Sequence, residues 1–159
     1  MTNDENNLME PIPRLAELAE FRYQLRSFLS FSESASEACG IAAQQYQLMQ
    51  VIEAAPTDRQ ASISYIAERM ILRHNSAVEL VDRAERAGLV QRRNDEHDLR
   101  RSIVQLTPQG REIVAKLVGL HLEELQRRAD EMIRALKSLQ NDADSARKQK
   151  SASSGVGGA

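Results

Sequence analysis

Ile66-Ala67-Glu68-Arg69-Met70-Ile71-Leu72-Arg73-His74-Asn75-Ser76-Ala77-Val78-Glu79-Leu80-Val81-Asp82-Arg83-Ala84-Glu85-Arg86-Ala87-Gly88-Leu89-Val90 decides the fold. It reads as the end of one helix, a tight turn, a second helix, a cap and the start of a strand. Ser62 is suited to cap the first helix, with Ile63, Ile66, Ala67 and Met70 at helical spacing behind it. Ile71-Leu72-Arg73 is a short connection. A second helix opens near Asn75, with Val78, Val81 and Ala84 as its apolar side and Leu80 flanking. Gly88 is placed to end it. Two short helices on a tight turn form a helix-turn-helix.

Downstream, the period changes from helical to extended. Val90-Gln91-Arg92-Arg93 and Arg101-Ser102-Ile103-Val104-Gln105-Leu106 flank a polar turn, Asn94 to Asp98. Two short strands with a charged tip predict a β-hairpin, which in this position is a wing. Thr107-Pro108 then starts a helix: a hydroxyl N-cap, with proline at the first helical position, where a missing N–H costs nothing. That helix is expected over 108–128, with Ile113, Val114, Leu117 and Leu120 inward. A further segment over 129–139 would use Met132, Ile133 and Leu136.

Upstream, 11–37 is helical, with a stripe of Leu15, Leu18, Leu25, Phe28 and Leu29 widened by Phe21 and Tyr23. A helix of roughly 26 residues extends about 39 Å, which is long for a small domain. Cys39-Gly40 breaks it. A helix over 42–53 follows, with Tyr46, Leu48, Met49 and Ile52 inward, and then a turn at Pro56-Thr57-Asp58. Residues 1–10 read as a loose arm and 141–159 as a disordered tail. The fold class expected is therefore mostly α with a small β-hairpin wing. The winged helix-turn-helix occupies about 42–107, flanked by helices at 11–37 and 108–139. The outer helices carry apolar faces that the central motif is too small to cover, so a second copy of the chain is expected against them.

The chain of 159 residues carries a net charge of −2, and its distribution is uneven. Residues 1–58 hold three basic and nine acidic side chains, whereas 59–101 hold nine basic and seven acidic ones, and every basic residue there is arginine. Arginine suits phosphates and base edges, although solvated helix faces would give the same count. Aromatic residues are 4% of the chain, few for a protein that stacks on single-stranded bases. There is no apolar run long enough for a membrane span. The polar, acidic start is unlike a secretory signal. A lone cysteine excludes an internal disulfide framework. A cytoplasmic location is expected.

Five pieces in order carry a resemblance: Ile66-Ala67-Glu68-Arg69, Leu80-Val81-Asp82-Arg83, Ala87-Gly88-Leu89-Val90, the turn ending Asp98-Leu99-Arg100, and Leu106-Thr107-Pro108-Gln109-Gly110. None is specific alone, but in this order and spacing the chain resembles the multiple-antibiotic-resistance regulators, the MarR family, over roughly 11–140. The resemblance implies a homodimer formed by the outer helices, acting as a repressor on a palindromic operator in double-stranded DNA. One helix of each subunit would enter the major groove and the wing the minor groove. Asn75, Ser76 and Glu79 would face base edges, and Arg73 and His74 would sit at the start of that helix, where His74 could equally be a polar cap residue. Arg83 would touch phosphate or an acidic neighbour. Asp98 and Arg100 match the family's wing pair: a narrow minor groove attracts a guanidinium, and the carboxylate would hold it extended. Ser62, Arg92, Arg93 and Arg101 would complete the DNA-binding set.

Many members of the family take small aromatic acids or phenols. Phe21, Arg22, Arg26, Phe28 and Tyr46 offer a cation and apolar walls for such an effector, although ordinary core and surface explain them too. Cys39 reads as a structural thiol. His121 and Glu124 share a helix face at a spacing that can hold a metal. No third ligand clusters with them, so a solvated face is expected, and no metal or cofactor. No catalytic constellation is present, so an enzyme is not expected. A winged-helix module that binds protein instead of DNA is the alternative.

Overall fold

The computed structural model describes residues 12–56, 60–94 and 102–153, with 141–153 as backbone only. Among the described residues five helices and one hairpin appear, in the order α1 (Leu15–Ala38), α2 (Ala43–Glu53), α3 (Ile63–Met70), α4 (His74–Arg86), β1 (Val90–Asn94), β2 (Ser102–Leu106) and α5 (Pro108–Ser153). This is the expected class, a mostly helical winged helix-turn-helix between long flanking helices. No described helix is long and apolar enough to cross a membrane.

The chain divides into two compact units. One spans Ser30–Glu124 and the other combines the residues up to Leu29 with those from Leu125 onward. The core of the Ser30–Glu124 unit is built from one face of each short element. Tyr46, Leu48, Met49 and Ile52 of α2 are buried, with Ile66 and Ala67 of α3, Ala77, Leu80, Val81 and Ala84 of α4, and Val114 and Leu117 of α5. Leu80 is thus at the centre of the inward face of α4 and Val78 lies at its edge, the reverse of the sequence reading. Ala77, Leu80, Val81 and Ala84 follow the three-and-four spacing of one helical face.

β1 and β2 pair antiparallel from Val90↔Leu106 to Asn94↔Ser102. A bridge between Ser62 and Ile103 ties the start of α3 to β2, and the Val104 N–H donates to the Ala61 carbonyl at 2.9 Å. Three caps hold these elements in register. The Ser62 hydroxyl accepts from the Tyr65 N–H at 3.2 Å. After α4, Gly88 takes φ 73°, its N–H reaches the Glu85 carbonyl and the Leu89 N–H reaches the Ala84 carbonyl, both at 3.0 Å. This is a Schellman end, in which a left-handed glycine satisfies the last carbonyls. Thr107 caps α5: its Oγ1 accepts from the Gly110 N–H at 3.0 Å and donates to the Gly88 carbonyl at 2.6 Å.

Between α3 and α4 the same left-handed step is taken by Ile71, at φ 56° with its side chain 93% exposed. The Leu72 N–H reaches back to the Ala67 carbonyl at 2.9 Å, so the turn closes as it does at Gly88. A β-branched residue in this region costs roughly 1–2 kcal/mol, and an exposed side chain recovers nothing by packing. Glycine there gives back about half of the gain through its greater unfolded-state freedom. Ile71→Gly is therefore expected to raise stability by about 0.5–1 kcal/mol in urea unfolding. A lower midpoint in the variant would contradict this account.

Three boundaries differ from the sequence reading. α1 starts at Leu15, not Pro11, because Pro13 disfavours the helical region for Ile12 and Arg14 sits at φ 64°. α4 starts at His74, with Arg73 at the N-cap. α5 is one helix of 46 residues instead of two segments, and it continues to Ser153, into the stretch read as tail. Nothing between Arg128 and Ala129 breaks helical propensity.

In the unit containing the chain's N-terminal residues, much of the expected stripe of α1 lies exposed among the described residues. Leu15, Leu18, Tyr23, Leu25 and Leu29 are exposed, as are Ile133 and Leu136 of α5, while Gln24 is buried.

Candidate nucleic-acid interface

α4 presents its outer face from its first turn. Arg73, His74, Asn75, Ser76, Glu79 and Arg83 are exposed, opposite the buried Ala77, Leu80, Val81 and Ala84. Packing of the inner face therefore dictates which side chains can reach outward. With Arg73 as N-cap, the first N–H groups of α4 have no acceptor of its own side chain, and a helix start of this kind favours an anion. Arg83 donates to Gln44 Oε1 of α2 at 3.5 Å, so its neighbour is an amide rather than an acid. Ser62 lies half-buried with its hydroxyl committed to the α3 cap.

Arg92, expected among the DNA-binding residues, is engaged by α4. Its guanidinium is paired with Asp82 and Glu85 of α4, each at 2.5 Å, and its backbone N–H donates to Glu85 Oε1 at 2.9 Å. Burial alone would lower the pKa of Arg92. The hydrogen bonds and charges of the two carboxylates outweigh that, and the net direction is upward. Arg92 thus fastens the first wing strand to the helix that carries Asn75 and Glu79. The next residue, Arg93, is exposed, as alternation along a strand requires. Asp98, Arg100 and Arg101 lie outside the described residues.

Asp82, Glu85 and Gln44 were missed by the sequence reading. One signal was available for the first two. Arg92 shares a strand face with Val90, which starts a buried position, so its side chain had to meet α4 rather than solvent.

The residues expected to bind an effector fall in both units. Arg22 and Arg26 are exposed, Phe21 and Phe28 are half-buried, and Tyr46 belongs to the other unit. There Tyr46 packs on His121 with ring centroids 4.7 Å apart. Its hydroxyl accepts from Gln50 at 3.0 Å, and burial pushes its pKa up. His121 is not on a solvated face: it is buried, as is Glu124. His121 Nδ1 lies 2.7 Å from the Leu117 carbonyl and Nε2 lies 2.8 Å from Ser32 Oγ. Among the described residues no three His, Cys, Asp or Glu side chains gather as metal ligands. Cys39 packs, partly buried, against the core.

The sequence model of the MarR family matches residues 40–101. Residues 40–101 belong to the MarR family. That MarR-family region begins at the end of α1, contains α2, α3, α4 and β1, and ends just before β2. Among curated proteins none matches the chain. Solved structures of similar fold include the S. aureus MepR–DNA complex, at 22% identity, covering 84% of this chain and 96% of that one with a TM-score of 0.57. AbsC, a MarR family transcriptional regulator from Streptomyces coelicolor, matches at 20% identity over 84% and 93% of the two chains, with a TM-score of 0.64. A MarR family protein from Bacillus stearothermophilus matches at 22% identity over 84% and 94%, with a TM-score of 0.62. Identities at this level make these likenesses of fold, and they extend beyond the MarR-family region into both flanking helices.

Proposed function

We propose that the protein is a cytoplasmic transcriptional regulator that binds double-stranded DNA as a homodimer and represses from a palindromic operator. The observation that carries the proposal is the outward row Arg73, His74, Asn75, Ser76 and Glu79 on a helix locked by its inner face and fastened to the wing through Arg92. Asn75 pairs with adenine and Glu79 accepts from cytosine in the major groove. Arg93 contacts phosphate, and Arg100, held by Asp98, enters the minor groove with Arg101 beside it. The bare leucines of α1 and the exposed Ile133 and Leu136 of α5 support a dimer, since a face of this kind needs a partner. MepR, a protein of similar fold, has been solved with DNA. Release by a small aromatic or phenolic effector that meets Phe21, Arg22, Arg26, Phe28 or Tyr46 completes the reading.

Selection of fragments from the genome or a random library tests it. The expected result is a two-fold-symmetric consensus whose affinity falls steeply with salt. On that consensus, Arg100→Ala should weaken binding about tenfold or more. No enrichment at any salt would overturn the proposal and favour a protein-binding winged helix. An unchanged affinity in Arg100→Ala would remove the wing from it.

A further inference from the structure

The unit containing the chain's N-terminal residues holds a cavity of about 670 Å³ lined by Glu17, Glu20, Tyr23 and Gln24 of α1 and by Glu131 and Arg134 of α5, among others. None of the residues expected to bind an effector lines it. Gln24 is only 4% exposed. Its Nε2 donates to Glu20 Oε1 at 2.8 Å, which fixes the amide so that Oε1 is the remaining acceptor. That oxygen is buried and has no hydrogen-bond partner. A buried amide oxygen left unpaired costs free energy that a donor would recover.

The charges around it say which donor. Three carboxylates against one guanidinium leave the lining acidic, so an anion is disfavoured and a cationic donor is favoured over a neutral one. Tyr23 supplies an aromatic face, and Ala16 and Ala135 supply small apolar wall. We propose that this cavity binds a small organic amine with an aromatic or apolar body. Its ammonium donates to Gln24 Oε1 and to the carboxylates of Glu20 and Glu131, and its body lies against Tyr23. The site goes beyond the DNA-binding reading and does not depend on it.

The test is calorimetric titration of the full chain with 2-phenylethylamine, with 2-phenylethanol and phenylacetate as isosteres that lack the cation or reverse its charge. Saturable binding of the amine, with both isosteres at least about tenfold weaker, is expected. Glu20→Gln and Glu131→Gln should each weaken the amine several-fold. Gln24→Leu should abolish the preference for the amine while holding or raising the unfolding midpoint, because it removes an unpaired buried oxygen. A midpoint that holds separates loss of the site from loss of the fold. Equal affinities for amine and alcohol, or an amine affinity indifferent to all three substitutions, would overturn the proposal. So would absence of amine binding with a changed monomer–dimer equilibrium in Glu20→Gln, which would assign the acidic lining to a basic side chain of a second copy. DNA binding enters none of these readouts, so a failure here leaves the regulator reading untouched.

Discussion

Gly110→Ala is expected to destabilise the protein by about 3–4 kcal/mol, or to prevent folding altogether. A Cβ on Gly110 would stand 2.1 Å from the Leu89 carbonyl oxygen and 3.3 Å from Met49 Sδ. The first of these is backbone, which no rotamer change can move. Moving α5 away instead would stretch the cap in which the Gly110 N–H donates to Thr107 Oγ1 and the Thr107 N–H donates to the Leu89 carbonyl at 3.0 Å. Overpacking alone costs roughly 1–3 kcal/mol and a lost cap about one more. Gln109→Ala, at the exposed position beside it, should stay within about 0.5 kcal/mol of the parent. Urea unfolding of the two variants compares them directly. If Gly110→Ala unfolded within 1 kcal/mol of the parent, the close approach of α5 to Leu89 would be wrong.

For Arg92 the two possible roles predict opposite signs. If Arg92 fastens β1 to α4, then Arg92→Ala, Asp82→Ala and Glu85→Ala all loosen the wing, and all three weaken operator binding. About tenfold is expected for Arg92→Ala, which loses both partners. Were Arg92 instead a phosphate contact, removing either acid would tighten DNA binding, because each deletes a negative charge near the backbone. The stability cost of Arg92→Ala is expected at about 1–2 kcal/mol, less than for a fully buried pair because Asp82 and Glu85 are partly solvated. A double-mutant cycle between Arg92 and Glu85 should show positive coupling. A Glu85→Ala variant that binds operator more tightly than the parent would sink the fastening role.

Much of the fold was legible because its signals are local. Thr107-Pro108, Ser62 and Gly88 each announce a helix end by their own chemistry, and each caps where expected. The inward residues of α2 follow from spacing alone. The misreadings lie where a distant neighbour decides. The two readings of Leu80 and Val78 differ by a small rotation of α4, which packing against α2, α3 and β1 fixes. The leucines of α1 were correctly grouped as one apolar stripe. That this stripe lies open among the described residues, while the polar Gln24, Ser32 and Ser36 are buried, is not a matter of local spacing. Ile71 hid its left-handed conformation, since nothing in a β-branched residue signals positive φ. At the site, the outward row from Arg73 to Glu79 was readable from helical period. Arg92 was read by its charge, when its strand face was the better guide.

His121 closes a short column of polar contacts among Ser32, Leu117 and the Tyr46 ring. A carbonyl oxygen only accepts, so Nδ1 carries the hydrogen that meets the Leu117 carbonyl. Ser32 Oγ, a hydroxyl able to donate or to accept, faces Nε2. The imidazole is thereby a built-in spectroscopic reporter. In nitrogen-15-labelled protein its Nε2 resonance should track the α1–α5 contact at Ser32. Any ligand, partner or solvent change that disturbs that contact can be followed at this one ring, with no substitution introduced.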